Sequence, residues 1–391
     1  MRTVFEALHA VFFILAAGGG FYTLFSLFCV LFLKAGTGRE RTKERKPAAR
    51  PLPPVSILKP LRGADYSLKE NLASFCRQDY PDYEVLLGLR SSEDPAYGAA
   101  QEIKRMFPEK VRIITGHEDL GANMKVSNLY QLSRSAKHDL LAVSDSDMLV
   151  DSCYLKTIVS EYMENENTGL VTSLYRISRP VSVGAVLESL NIAVDFIPSV
   201  LVARLVERGI SFGLGASMLF SGKRFEETGG FRAIADYLAD DYQVGHRLSA
   251  KGYGVVLSEY VMEDVEGPMR FRDHLRHQLR WARTYRASRP KGYIGYGITH
   301  FFVYCLFLSV LWPGVTAFSA LALAFFLRAA VGAAVNRRFI GRAGWSVWLF
   351  LLPIKDILSF CVWLMSFAGR KVAWRGDIYT VTGTGELRRV I

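Results

Sequence analysis

The chain has 391 residues, half of them hydrophobic, and carries 48 Lys and Arg against 37 Asp and Glu, a formal net charge of +11. Apolar content gathered toward both ends excludes a disordered polyelectrolyte and predicts a membrane protein with a soluble middle. The surplus of positive charge accompanies no RNA- or DNA-binding signature, so no nucleic-acid partner is expected, and Cys29, Cys76, Cys153, Cys305 and Cys361, at spacings that match no zinc or haem pattern, predict reduced and chemically idle thiols.

In chain order, Val11 to Leu33 is free of charge and long enough to cross a hydrocarbon core, so residues 1–34 are expected to form a retained anchor in the lipid bilayer rather than a cleaved signal. A basic, proline-containing linker, 35–54, follows, with Arg39, Arg41, Lys43, Arg45, Lys46 and Arg50 directly after Lys34. By the positive-inside rule the soluble middle faces the cytoplasm.

Residues 55–297 alternate short apolar runs with amphipathic segments, the pattern of an α/β domain with a mostly parallel sheet. Val55 to Leu58 reads as a strand, Ser67 to Cys76 as a helix capped by Ser67 with Glu70 three residues on, and Glu84 to Leu89 as a second strand. A helix over 98–107, a strand at Val111 to Ile114, a helix at Lys125 to Ser135 and a strand at Asp139 to Ser144 complete the run. Asp145 and Asp147 then fall at the C-terminal end of a central strand, where open α/β sheets bind ligands. Two carboxylates at i, i+2 suit a hard divalent cation, Mg²⁺ or Mn²⁺, bridging to a diphosphate, although Asp-x-Asp alone is a weak signal. Asp240 and Asp241 precede an expected helix, Tyr242 to Lys251, and read either as N-terminal caps or as catalytic carboxylates. His274 and His277 lack the spacing and companions of a metal site and are expected to be solvated or hydrogen-bonded.

Pro180 to Gly209 is apolar enough for either an interfacial segment that admits lipid or a buried core helix. Ile298 to Val335, interrupted at Trp312-Pro313-Gly314, predicts a transmembrane hairpin, 298–335. Ala343 to Gly369 has basic flanks on both sides and is broken by Pro353, Lys355 and Asp356. A re-entrant, interfacial or broken segment is therefore expected within 336–391, with Lys355 and Asp356 paired or facing a cavity; the alternative is one crossing with an exposed tail.

Several phrases carry a family resemblance: Ser56-Ile57-Leu58-Lys59-Pro60-Leu61-Arg62-Gly63, Asp79-Tyr80-Pro81, Asp94-Pro95-Ala96, Lys125 with Asn128, Asp145-Ser146-Asp147, Gly215 with Ser217-Met218, Gly229-Gly230, Asp240-Asp241-Tyr242 and His277-Gln278-Leu279-Arg280-Trp281. In this order, and with Trp374-Arg375-Gly376 in the tail, they resemble the ceramide glucosyltransferase family. The phrases Tyr237 to Tyr242 and Arg280 to Thr284 look most like the bacterial hopanoid-biosynthesis glycosyltransferases within it.

The resemblance implies a GT-A type nucleotide-diphospho-sugar transferase domain flanked by N- and C-terminal transmembrane helices, at the bacterial inner membrane. It implies inverting, metal-dependent transfer of a sugar from a UDP-sugar donor to a lipid hydroxyl. Asp145 and Asp147 would hold the metal, Asp241 would be the base with Asp240 its orienting partner, and Arg280 and Trp281 would close the site. Lys59, Glu93, Asp94, Lys125, Asn128, Ser217 and His277 are expected at the substrates. Two positions depart from the family: His277 stands where Gln or Arg is usual, and Ser91 where an acidic residue is usual, leaving Glu93 or Asp94 to replace it. The expected product is N-acetylglucosaminyl hopanoid from bacteriohopanetetrol, with glucosylceramide as the alternative. A processive polysaccharide synthase and a nucleotide-sugar sensor are the readings from other classes.

Overall fold

The computed structural model describes residues 2–33, 51–116, 118–374 and 377–389. The basic residues Lys34 to Arg50 and the tail pair Arg375-Gly376 lie outside the described residues.

Ten strands build the middle of the chain: β1 (Val55–Pro60), β2 (Tyr83–Leu89), β3 (Val111–Thr115), β4 (Leu140–Val143), β5 (Met148–Leu149), β6 (Thr168–Thr172), β7 (Tyr175–Arg176), β8 (Met218–Ser221), β9 (Gly254–Leu257) and β10 (Met262–Asp264). Seven of them form one sheet in the order β3-β2-β1-β4-β8-β6-β9, parallel except where β8 pairs with β4 and β6. Successive strand residues point to opposite faces, so in β1 and β2 Val55, Ile57, Val85 and Leu87 enter one core while Leu58 and Leu86 enter the other. With both faces covered, β1, β2 and β4 are buried throughout, which explains their near-continuous apolar sequences.

The helices lie within a residue or two of their expected limits, at Leu68–Cys76, Tyr97–Met106 and Met124–Ser135. Ser67 differs from expectation: its φ is 54° and its side chain makes no capping bond, so the helix starts from a left-handed turn. Of these three helices, the one with a side-chain cap starts at Asn123, whose Oδ1 accepts the amides of Lys125 and Val126.

A smaller sheet, β5-β10-β7, takes its strands from the chain just beyond the C-terminal ends of β4, β9 and β6. Three further strands, β11 (Lys371–Trp374), β12 (Asp377–Val381) and β13 (Leu387–Arg389), form an antiparallel meander. It packs against Leu238 through Val372, Tyr379, Val381 and Leu387.

Among the described residues, four helices are long and apolar enough to cross a membrane: Thr3–Phe32, Val183–Val206, Val315–Ile340 and Trp345–Phe367. Pro290–Thr299 and Phe301–Leu311, bent by 51°, make a fifth if taken as one span. Val183–Val206 is largely buried inside the protein, and a π-helical turn at Ile192–Phe196 divides it. In the last segment a 3₁₀ stretch, Trp345–Leu351, leads directly into the helix Leu352–Phe367, with Pro353 in the first turn where its missing N–H is tolerated.

Charged residues knit these apolar helices together. Arg328 donates to Asp356 (2.6 and 3.0 Å), Asp195 (2.8 Å) and the carbonyl of Val194 (3.1 Å), which lies in the π-helical turn. Lys355 donates to Asp356 (3.0 Å) and to Asp195. Two cations and two carboxylates thus neutralise one another out of water, as buried charge requires.

Candidate active site

The chain turns sharply after β4. Lys59, sealed in β1, donates from Nζ to the carbonyl of Asp145 and to Ser144 Oγ (3.3 Å) with its ammonium 3.7 Å from the Phe75 ring centroid. Burial lowers its pKa to about 7, against the opposing carboxylates of Asp147, Asp145 and Asp65. Asn71 donates to the carbonyl of Ser146 (3.3 Å), and Ser146 Oγ donates to Asp65. The turn that presents Asp145 and Asp147 is therefore held from below and from the side.

Opposite it, the helix Asp240–Ala250 presents Asp240 and Asp241 in its first turn. Gly245 allows this helix to reach the 212–215 loop, because a Cβ there would lie 2.2 Å from the Gly213 amide nitrogen. Asp241 Oδ2 accepts the amide of Gly215 (2.9 Å) and Oδ1 that of Tyr242 (2.7 Å). Burial, then the adjacent Asp240 carboxylate, raises the Asp241 pKa to about 6.

Gly215 joins the two walls. A Cβ built on it would lie 3.0 Å from Asp145 Oδ2, 3.4 Å from Asp241 Oδ2 and 3.6 Å from Lys125 Nζ. Lys125 pairs with Asp145 (2.6 Å) and Asp240 (3.3 Å). Burial disfavours its charge, but Asp145, Asp240 and Asp241 outweigh that and hold its pKa above the ordinary lysine value.

The site fits a divalent cation. Asp147 Oδ1 is buried with no hydrogen-bond partner, and burial, then Asp145 and Asp65, raise its carboxyl to about 6. Surplus negative charge around an unsatisfied oxygen is relieved by a cation, and Asp145 and Asp147 are the carboxylates that could hold one. No three His, Cys, Asp or Glu among the described residues form a metal-holding group.

The helix Phe271–Ser288 supplies the remaining wall. Trp281 is half-buried, packed edge-on against Tyr175, Phe196, Tyr285 and His277, and Arg280 is half-buried beside it. Glu188, which sequence reasoning missed, anchors this helix: it accepts from Gln278 Nε2 (2.8 and 3.0 Å), pairs with His274 Nδ1 (2.9 Å) and lies 3.5 Å from His277 Nδ1. The two histidines thus meet Glu188 between helices.

Lys59 and Ser217 are fully buried and Asn128 nearly so; Asn128 donates to the carbonyl of Gly88 (2.9 Å) and Ser217 Oγ bonds to the hydroxyl of Tyr154 (2.9 Å). Each is thus held by a neighbour within the packing of strands and helices. Near Ser91, Asp94 accepts the amides of Gly63 and Ala96, both at 2.9 Å, while Glu93 is exposed.

A mostly parallel α/β sheet with Asp-x-Asp at the end of a central strand and paired carboxylates facing it defines a GT-A type glycosyltransferase fold. The profile of Glycosyl transferase family 21 matches residues 11–387, and the chain belongs to that family. It is 26% identical over 272 residues to ceramide glucosyltransferase 3 of Caenorhabditis elegans, covering 69% of this chain and 59% of that one. Ceramide glucosyltransferase of Komagataella phaffii is 32% identical over 131 residues, 31% of this chain and 26% of that one. The matches therefore span less than two thirds of these relatives. The mannosyltransferase PcManGT of Pyrobaculum calidifontis, solved with GDP-Man and Mn²⁺, superposes with a TM-score of 0.53 at 15% identity, covering 92% of this chain and 99% of that one, a likeness of fold.

Proposed function

We propose that the chain is an inverting, metal-dependent glycosyltransferase that moves a hexose from a UDP-sugar to the hydroxyl of a membrane lipid. The observation that carries this is the junction at Gly215, where the Asp145 carboxylate and the Asp241 carboxylate face each other across a single glycine. A divalent ion held by Asp145 and Asp147 would neutralise charge developing on the diphosphate leaving group. Asp241, anchored by two backbone amides, removes the proton of the acceptor hydroxyl as oxygen attacks the anomeric carbon. A carboxyl titrating near pH 6 is ionised at neutral pH yet basic enough to take part in proton transfer. Lys125, tied to both carboxylate groups, fixes their separation, and Trp281 with its aromatic neighbours shields the reacting centre from water.

The relatives above are named ceramide glucosyltransferases, which reverses the order of acceptors expected from the sequence: ceramide with UDP-glucose leads, and a hopanoid with UDP-N-acetylglucosamine follows. The cytoplasmic placement of the domain and a bacterial inner membrane remain part of the proposal. The test is to offer each donor with ceramide or bacteriohopanetetrol to the detergent-solubilised chain, with Mn²⁺, Mg²⁺ or chelator. One glycosylated lipid, abolished by chelator and by Asp241→Asn, is the expected result by mass spectrometry. Long polymer as the sole product establishes a processive synthase instead.

A further inference from the structure

Tyr175 is 8% exposed, and its hydroxyl has no hydrogen-bond partner among the described residues. A buried unpaired hydroxyl costs stability that phenylalanine would not, so the fold alone gives no reason for tyrosine here. Asp264 shares the anomaly: it is 9% exposed, with Oδ1 unpartnered.

Both residues belong to the small sheet. Tyr175 pairs in parallel register with Met262, and Asp264 lies two residues beyond Met262 on the same strand, so the period of two puts all three side chains on one face. Asp264 sits across from Met148, and the amide of its successor Val265 donates to the carbonyl of Asp147 (3.0 Å), at the metal wall. Tyr175 lies at the other wall: its ring packs on Phe196 and edge-on to Trp281, and Asp241 is among the charged groups that act on its hydroxyl. An unpaired donor and an unpaired acceptor thus share one face of the small sheet, between the turn that carries Asp147 and the helix that carries Trp281.

Building on the glycosyltransferase reading, we propose that Tyr175 and Asp264 are a substrate-binding pair, the phenol donating to and the carboxylate accepting from an alcohol of the transferred hexose. An alcohol is the complementary chemistry because one hydroxyl both donates and accepts. The acceptor lipid also carries hydroxyls, and the experiment separates the two sources.

The experiment compares full-length wild type, Tyr175→Phe and Asp264→Asn in detergent with Mn²⁺. Titration calorimetry measures UDP and UDP-glucose, kinetics measure the lipid KM, and thermal unfolding measures Tm. The expected result for Tyr175→Phe is unchanged UDP affinity, UDP-glucose affinity weakened about tenfold and a Tm equal to or above wild type, with Asp264→Asn weakening the same ligand. A weakening confined to the lipid KM assigns the pair to the acceptor hydroxyl instead. UDP-glucose affinity and lipid KM both within about twofold of wild type, or a loss that follows a lowered Tm, overturn the pair. A wild-type chain that turns over no lipid sinks the lipid-transfer reading; the UDP-glucose comparison against UDP then decides the pair by itself.

Discussion

Two of the buried clusters of charge among the described residues are built on opposite principles. Between the apolar helices, Arg328 and Lys355 meet Asp195 and Asp356, and every carboxylate is paired. At the end of the sheet, Lys59 and Lys125 face Asp65, Asp145, Asp147, Asp240 and Asp241, with Asp147 Oδ1 left unsatisfied. The first cluster is complete in itself and the second is complete only with something added. Balanced buried charge marks architecture here, and unbalanced buried charge marks chemistry.

The sharpest test of that contrast is Asp241→Asn. It keeps the shape of the site while removing the base, so kcat is expected to fall by about 10²–10⁴-fold with UDP affinity retained, read from steady-state rates and calorimetry. The converse substitution in the other cluster, Arg328→Met, leaves two buried carboxylates to share Lys355 alone and is expected to destabilise the protein by ~3–5 kcal/mol in detergent unfolding. Replacing all four charges with apolar residues of similar volume should recover much of that loss.

Asp147→Asn is expected to move stability the other way. The folded pKa of Asp147 is about 6, above its unfolded value, so its ionisation costs stability progressively as pH rises from the ordinary aspartate range through 6. Without added metal the variant should therefore have the higher Tm at pH 7.5, with the difference vanishing by pH 4, while the Mn²⁺-induced rise in Tm is lost. Asp241, also near 6, predicts a kcat that climbs as pH rises through that value. The smallest effect expected is that of Gly215→Ala: a methyl 3.0 Å from Asp145 Oδ2 should lower kcat about tenfold by forcing the walls apart, with little change in Tm.

The first half of the sheet was legible because its strands and helices follow local rules: both-faces-buried strands read as apolar runs, and the Asp-x-Asp follows one of them directly. The contribution of Glu188 was not legible, since it meets His274 and Gln278 only after 86 and 90 residues of intervening chain have folded. Tyr175 and Asp264 carry no local signal for the same reason. Ser67 shows the opposite failure, a residue with good capping chemistry whose backbone takes a left-handed turn instead. In the Val183–Val206 segment, composition left interface and core undecided, and burial against neighbouring helices places most of it inside the protein.

The meander at the C-terminal side has a consequence for the order of assembly. The loop before Asp240 has Ala239 at its helix cap and no capping side chain; instead, Leu238 donates its amide to the carbonyl of Gly385 (3.2 Å) and Asp236 accepts the amide of Leu387 (2.6 Å). Arg283 and Arg286, on the helix that carries Trp281, donate to the carbonyls of Ala368, Gly369 and Lys371. These partners lie beyond Val315–Ile340 and Trp345–Phe367 in the chain. On the ribosome, the proposed base therefore gains its final support only after those apolar helices have been made, so a nascent chain with an assembled sheet still lacks a finished candidate site.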